Sequence, residues 1–215
     1  DVAYRVALSY ACKKSNDLLL AGPYMNMANK TSFANFVRDN NFSIIDCNNI
    51  EIVNKTITDI KGKKEYDIDG IRIVLNENSK YSKVCDIAVR LTNPKENTII
   101  YNNYKSGSER YAKEIIARLD EKDICFHSDD PIYRIFVQHL ENTYSTEWIV
   151  TKALKYGIGI HHGLVPKYIQ KEIINLFNKG TLLYLISTTT ITEGVNTSAK
   201  NIIITSNKKG RKNLK

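Results

Sequence analysis

GIGIHHGLVPKYIQKEIINLFNKGTLLYLISTTTITEGVNTSAKNIIIT, residues 157–205, reads as strand, helix, strand, loop, strand. Gly157 to His161 is a short, largely apolar run and predicts a strand. Pro166 to Asn178 puts Ile169, Ile173, Ile174 and Phe177 at helical spacing, with Gly180 as the stop. Thr181 to Ser187 and Asn201 to Thr205 are compact apolar runs, as expected of strands buried on both faces. Solid apolar strands separated by an amphipathic helix argue for a parallel sheet flanked by helices.

The same alternation extends upstream to about residue 85. Thr98 to Asn102 predicts a buried strand. Glu109 to Leu119 predicts a helix with Ala112, Ile115, Ile116 and Leu119 inward, and Ile132 to Leu140 and Trp148 to Lys155 predict two more. Glu77 to Leu91 carries Tyr81, Val84, Ile87, Ala88 and Leu91 on one helical side. Earlier the pattern is mixed. Residues 50–75 look extended, with a hairpin turning near Asp69-Gly70. Thr31 to Arg38 suggests a short helix, while Phe42 to Asp46 and Val2 to Tyr10 suggest strands.

Composition narrows the class. Of 215 residues, 42% are hydrophobic and 25% charged, which excludes general disorder. No apolar run reaches the roughly 18 residues of a membrane-spanning helix. Asp1-Val2-Ala3-Tyr4-Arg5 has neither an initiator Met nor a signal pattern, so the chain reads as the middle of something longer. Cys12, Cys47, Cys85 and Cys125 form no CxxC pair, which argues against a zinc site or disulfide framework and for free thiols in the cytoplasm. The net charge of +8 is uneven. Residues 151–215 hold 11 Lys/Arg against only Glu172 and Glu193. A basic third beside a balanced remainder suggests a polyanionic partner, or else a solvated lysine-rich face.

Ser187 to Asn196 follows a predicted strand, at the end where open α/β sheets bind ligands. Its hydroxyls and N–H groups suit phosphate oxygens. Gly194 permits close approach, and Glu193 and Asn196 could hydrogen-bond a nucleotide. A plain capped loop fits the same letters. His161 and His162 end another strand and point to opposite faces, which disfavours a two-His metal site: one is expected to pack and the other to face the cleft. There is no GxSxG elbow, no HExxH and no GxxxxGK[ST] phosphate loop. No catalytic residue and no metal ligand is assigned. A Rossmann-type enzyme fails because no GxGxxG follows a strand.

Taken together, His161-His162-Gly163, then Phe177-Asn178-Lys179-Gly180, then Thr188-Thr189-Thr190 with Gly194-Val195-Asn196, resemble the second RecA-like domain of superfamily 2 helicases, the DEAD/DEAH-box and related enzymes. Residues 97–119 resemble the strand and helix that open that domain. Residues 5–23 resemble the end of the first RecA-like domain, with Ser9-Tyr10-Ala11 where the family often has Ser-Ala-Thr. The resemblance implies an α/β fold: a RecA-like parallel sheet flanked by helices, preceded by a mixed α/β remnant of a first RecA-like domain. The division is residues 1–75 as remnant and crossing, and 76–215 as the second lobe, cut before the family's Arg-rich motif. It implies nucleic-acid contacts at Tyr101, Asn102, His162, Gly163, Thr188, Thr189 and Thr190, and nucleotide contacts at Glu193, Gly194 and Asn196. Lys200 joins the nucleic-acid group as one of the lysines of the basic third.

The expected activity is that of an ATP-dependent helicase or translocase, with ATP and Mg2+ as cofactors of the full-length enzyme. The partners are single-stranded RNA or DNA held by its backbone, and the first RecA-like lobe of the same protein, with no membrane. Lacking the phosphate loop, the DExH motif and the arginine finger, the chain alone is expected to be inactive and to hold no tightly bound cofactor. The rival expectation is a degenerate, non-catalytic lobe that binds nucleic acid or protein.

Overall fold

A computed structural model describes residues 2–14, 18, 56–60, 64–68, 70–75, 79–188, 197–206, 208–209 and 212–213. The chain divides into two compact units, Asp1–Ile57 and Thr58–Lys215. In the first unit the described element is helix α1, Val2–Lys14. This corrects the strand expected at Val2 to Tyr10. The apolar residues do not alternate. Val2, Val6 and Tyr10, and Ala3, Ala7 and Ala11, recur every fourth position, which is a helical period in an alanine-containing segment without Gly or Pro. The helix and strand expected at 31–38 and 42–46 lie outside the described residues.

The second unit starts with a hairpin, β1 (Glu65–Ile68) and β2 (Ile71–Val74), paired antiparallel with Ile68 opposite Ile71. Gly70 sits at φ +80°, and its N–H donates to Asp67 Oδ1 at 3.0 Å, so the turn falls where Asp69-Gly70 places it. Residues 56–60, expected to be extended β structure, form no strand. Tyr66, Ile73 and Leu75 are buried in the core of this unit. The expected division at 75/76 therefore falls between the hairpin and helix α2 (Lys80–Leu91), against which β2 packs.

Next come β3 (Thr98–Tyr101), α3 (Lys105–Glu121), α4 (Pro131–Thr143), α5 (Ile149–Leu154), β4 (Ile158–His161), α6 (Lys167–Asn178), β5 (Tyr184–Ser187) and β6 (Asn201–Ile204). Two-residue strands β7 (Lys208–Lys209) and β8 (Lys212–Asn213) follow. Among the described residues the main sheet has four strands in the order β4-β5-β3-β6, all parallel. Every residue of β3, β4 and β5 is buried, including the polar Thr98, His161 and Ser187 at their ends, as expected of strands covered on both faces. At the edge strand β6, Ile203 turns inward, while Ile202 and Ile204 are 62% and 65% exposed.

The helices cover the sheet through apolar stripes. On α6, Ile169, Ile173, Leu176 and Phe177 are fully buried, each side chain contributing about 1.5–3 kcal/mol by leaving water. Gly159 lets α6 approach β4: a Cβ there would stand 2.5 Å from Ile173 Cγ2. Helix α3 begins four residues before the expected Glu109. Its first turn includes Gly107, where a Cβ would fall 2.6 Å from Asn102 Oδ1, so the helix starts directly against the end of β3. Arg118 on α3 bonds Asp86 of α2 at 2.7 Å, its own-helix Glu114 at 2.9 Å, and Ser82. No helix among the described residues is long and apolar enough to cross a membrane.

Candidate nucleic-acid interface

Because the strands are parallel, their carboxyl ends share one edge. Tyr101 pairs with Ser187 and Ile204, and His161 pairs with Ser187, so these residues form one row across the sheet. The next row is Asn102, His162, Thr188 and Thr205. It is fixed by bonds from Asn102 N to Ser187 O (2.9 Å), Thr188 N to His161 O (3.2 Å) and Thr205 N to Tyr101 O (3.0 Å). Residues far apart in sequence are thus assembled by strand register alone.

Asn102 is 3% exposed, and its amide is committed inside the fold. Nδ2 donates to Tyr104 O and to Ser108 Oγ, both at 2.7 Å, and Oδ1 accepts from Tyr104 N–H at 3.0 Å. The side chain shapes the turn from β3 into α3. Tyr101 is likewise buried.

Both histidines are buried, at 5% and 4% exposure. The expectation that one faces an open cleft is corrected: the 163–166 loop and the first turns of α3 enclose His162. Leu164 N–H points at His162 Nδ1 at 3.4 Å, which leaves the proton on Nε2. That nitrogen has no hydrogen-bond partner among the described residues, and Glu109 Oε1 lies 3.7 Å away. Burial lowers the pKa of both rings. Glu109 opposes this at His162, whereas Lys105 there and Lys167 at His161 add to it. The loop is tied down by Gln170 of α6, whose Nε2 donates to His162 O (3.1 Å) and Val165 O (2.5 Å). Gly163 itself is exposed, and a Cβ there would meet nothing within 4 Å. Its backbone is open to a ligand.

Thr188 is buried at 8% exposure. Thr189, Thr190, Glu193, Gly194 and Asn196 lie outside the described residues. Lys200 does not join the others. It precedes β6, and its N–H donates to Asn97 O at the amino edge of the sheet, the opposite end of the strands. There it lines a shallow cleft with Lys95, Asn97, Asn178 and Lys179. Asp120-Glu121-Lys122-Asp123 spells a DExD string, but these residues form the exposed C-terminal turn of α3, with Asp123 at φ 51°.

Sequence reading missed Glu109, Ser108 and Gln170. The signal was present for two of them: Ser108 and Gln170 are polar residues at inward helical positions, beside Ala112 and Ile169, where only a satisfied polar group survives burial.

Residues 117–214 match the family described as the helicase conserved C-terminal domain. That segment is similar to helicase C-terminal domains. The α/β architecture, a parallel sheet flanked by helices, is the one that the RecA-like resemblance implied. The chain is also 29% identical over 213 residues to Anti-bacteriophage protein B of Escherichia coli (strain K12). That similarity takes in 99% of this chain but 26% of the relative, so the chain spans about a quarter of that protein's length.

Proposed function

We propose that this chain contributes the second motor lobe of an ATP-dependent nucleic-acid helicase or translocase, and that the carboxyl edge of its sheet holds the strand's phosphate backbone. The supporting observation is convergence. The Gly163 loop, the end of β3 and Thr188 share one edge of a helicase C-terminal fold. Within that edge the roles divide. Asn102, His162 and Gln170 set loop geometry, the exposed backbone at Gly163 meets phosphate oxygens, and Thr189 and Thr190, which follow the buried Thr188, add hydroxyls to the same contact. Glu193, Gly194 and Asn196 form one wall of an ATP site completed by the first lobe, with Mg2+ and the phosphate loop supplied elsewhere in the full protein. The lobe includes the 65–74 hairpin, which shares its core. The chain alone turns over no ATP, and the protein works in the cytoplasm. The name of the Escherichia coli relative makes bacteriophage nucleic acid the natural first substrate to try.

The test is binding of the chain to single-stranded RNA and DNA across a salt series. Backbone contact gives an affinity that falls linearly in log K against log salt, by roughly one unit of slope per phosphate neutralised. A flat response overturns the reading. Gly163→Ala, for which the fold has room, is expected to leave the melting temperature unchanged and weaken binding several-fold. Equal affinity in that variant removes Gly163 from the contact surface.

A further inference from the structure

Beside the 163–166 loop, four rings from three segments are locked together at the surface. Tyr144 stacks on Trp148 with ring centroids 4.8 Å apart and planes 27° from parallel. Tyr144 OH and Tyr168 OH are 3.0 Å apart. Tyr168 OH in turn meets His139 Nε2 at 3.2 Å, and Thr143 Oγ1 meets His139 Nδ1 at 3.3 Å. The His139 and Tyr168 rings meet edge to face, with centroids 5.9 Å apart. The hydroxyls and the imidazole are thus engaged with one another, yet Tyr144 and Tyr168 remain 42% and 48% exposed. The tyrosine rings are held in orientation while much of their surface stays open, and Trp148, half-buried against the core, backs Tyr144. Ile135 and Leu164, each 67% exposed, are further exposed apolar residues of α4 and of the loop before α6.

Two further features indicate what such a surface meets. First, it is fixed to the carboxyl edge. Tyr168 lies in the first turn of α6, and two residues on Gln170 bonds the loop carbonyls of His162 and Val165. Second, it is flanked by Lys152, one turn beyond Trp148, and by Lys167 and Lys171 on either side of Tyr168. All three are exposed and make no ion pair among the described residues. Glu147 and Glu172 are nearby, and Glu141 is taken by Lys155. Pre-oriented aromatic surfaces interleaved with unpaired lysines match a single-stranded nucleic acid, whose bases all present a π-face and whose phosphates need counter-charge.

We propose that Tyr144, Trp148 and Tyr168, oriented by His139, form a stacking surface for unpaired bases of the strand held at the carboxyl edge. This rests on the backbone-binding role above and adds base contact to it. Such contact is indifferent to sequence and lost wherever a base is missing.

Trp148 is the chain's single tryptophan and reports on the surface directly. The experiment titrates the chain with a single-stranded oligodeoxynucleotide and with its abasic counterpart of equal charge, following Trp148 emission and affinity. Stacking predicts that the intact strand binds about tenfold tighter than the abasic one and quenches Trp148 more strongly. Tyr168→Ala brings that ratio towards one without altering the abasic affinity or its salt dependence, and Tyr168→Phe, which keeps the ring, preserves the ratio. A urea unfolding curve followed at Trp148 verifies that each variant is folded. Equal affinity of the unmodified chain for the two strands overturns the stacking surface and leaves the backbone role standing. Failure to bind either strand overturns both.

Discussion

At the scale of single residues, the carboxyl edge depends on polar side chains kept neutral out of water. His161 and His162 are both buried and carry pKa values lowered first by desolvation. The consequence for stability has a definite sign. An unfolded histidine titrates near 6.5, and a folded ring with a lower pKa refuses the proton that the unfolded chain accepts. Stability is therefore full above about pH 6.5 and falls as the pH drops below it, until the folded rings themselves protonate. Glu109 opposes the shift at His162 without reversing it. The urea midpoint is expected to be lower at pH 5.5 than at pH 7.5, before most carboxylates titrate, and His162→Gln, with a side-chain acceptor for Leu164 N–H, should reduce the difference to the share that His161 contributes. A midpoint unchanged across that window would show that burial imposes no neutrality on these rings. The location of this pair was legible in the sequence, because a strand ending in His-His marks a sheet edge. Its burial was not, since the covering groups, Glu109 and Gln170, come from helices whose placement is tertiary.

At the scale of elements, strand identity was legible wherever a run was mostly apolar, as in Thr98–Tyr101 and Tyr184–Ser187, because burial on both faces leaves few polar positions, here Thr98 and Ser187 at the strand ends. Strand order was not legible, since β5 lies between β4 and β3 through packing of helices rather than through any local signal. Lys200 shows the same limit. It lies 12 positions beyond Thr188 in the sequence, yet a parallel connection must return to the starting edge before the next strand begins, which carries Lys200 to the far end of the sheet. Helix α1 differs for another reason: its clustered apolar residues suggest a strand, whereas their four-residue recurrence is that of a helix. The packing of α6 on β4 gives an element-scale prediction. Gly159→Ala puts a methyl group against Ile173 Cγ2, between a sheet and a helix that are both fully buried there. The expected cost is about 1–3 kcal/mol of unfolding free energy by overpacking. In an Ile173→Ala background the same change should cost less, because the colliding methyl is gone. Additive costs in a urea double-mutant cycle would place the strain elsewhere.

At the scale of the whole molecule, the useful fact is where the core lies. The continuous apolar cluster runs from Tyr66 through the hairpin, the sheet and its helices to Ile203, all within Thr58–Lys215. A unit of that size buries enough surface to fold without disulfides, and Cys12, Cys85 and Cys125 are free. Burial pushes the Cys85 thiol up to about 12, so it is a packing residue rather than a nucleophile. The surplus of basic charge also belongs to this unit, in its last third. Core and basic surface therefore travel together, and both should survive removal of the first 57 residues. Residues 58–215 expressed alone are expected to unfold in one cooperative transition. Followed at Trp148, the urea midpoint should be close to that of the full chain, and the salt-dependent binding of single strands should be kept. A gradual transition, or a midpoint lowered by a large fraction, would mean that the core drawn from Tyr66 to Ile203 is incomplete and that the lobe begins before Thr58. Retained stability with lost binding would instead move the polyanion contacts out of the basic third and into the first unit.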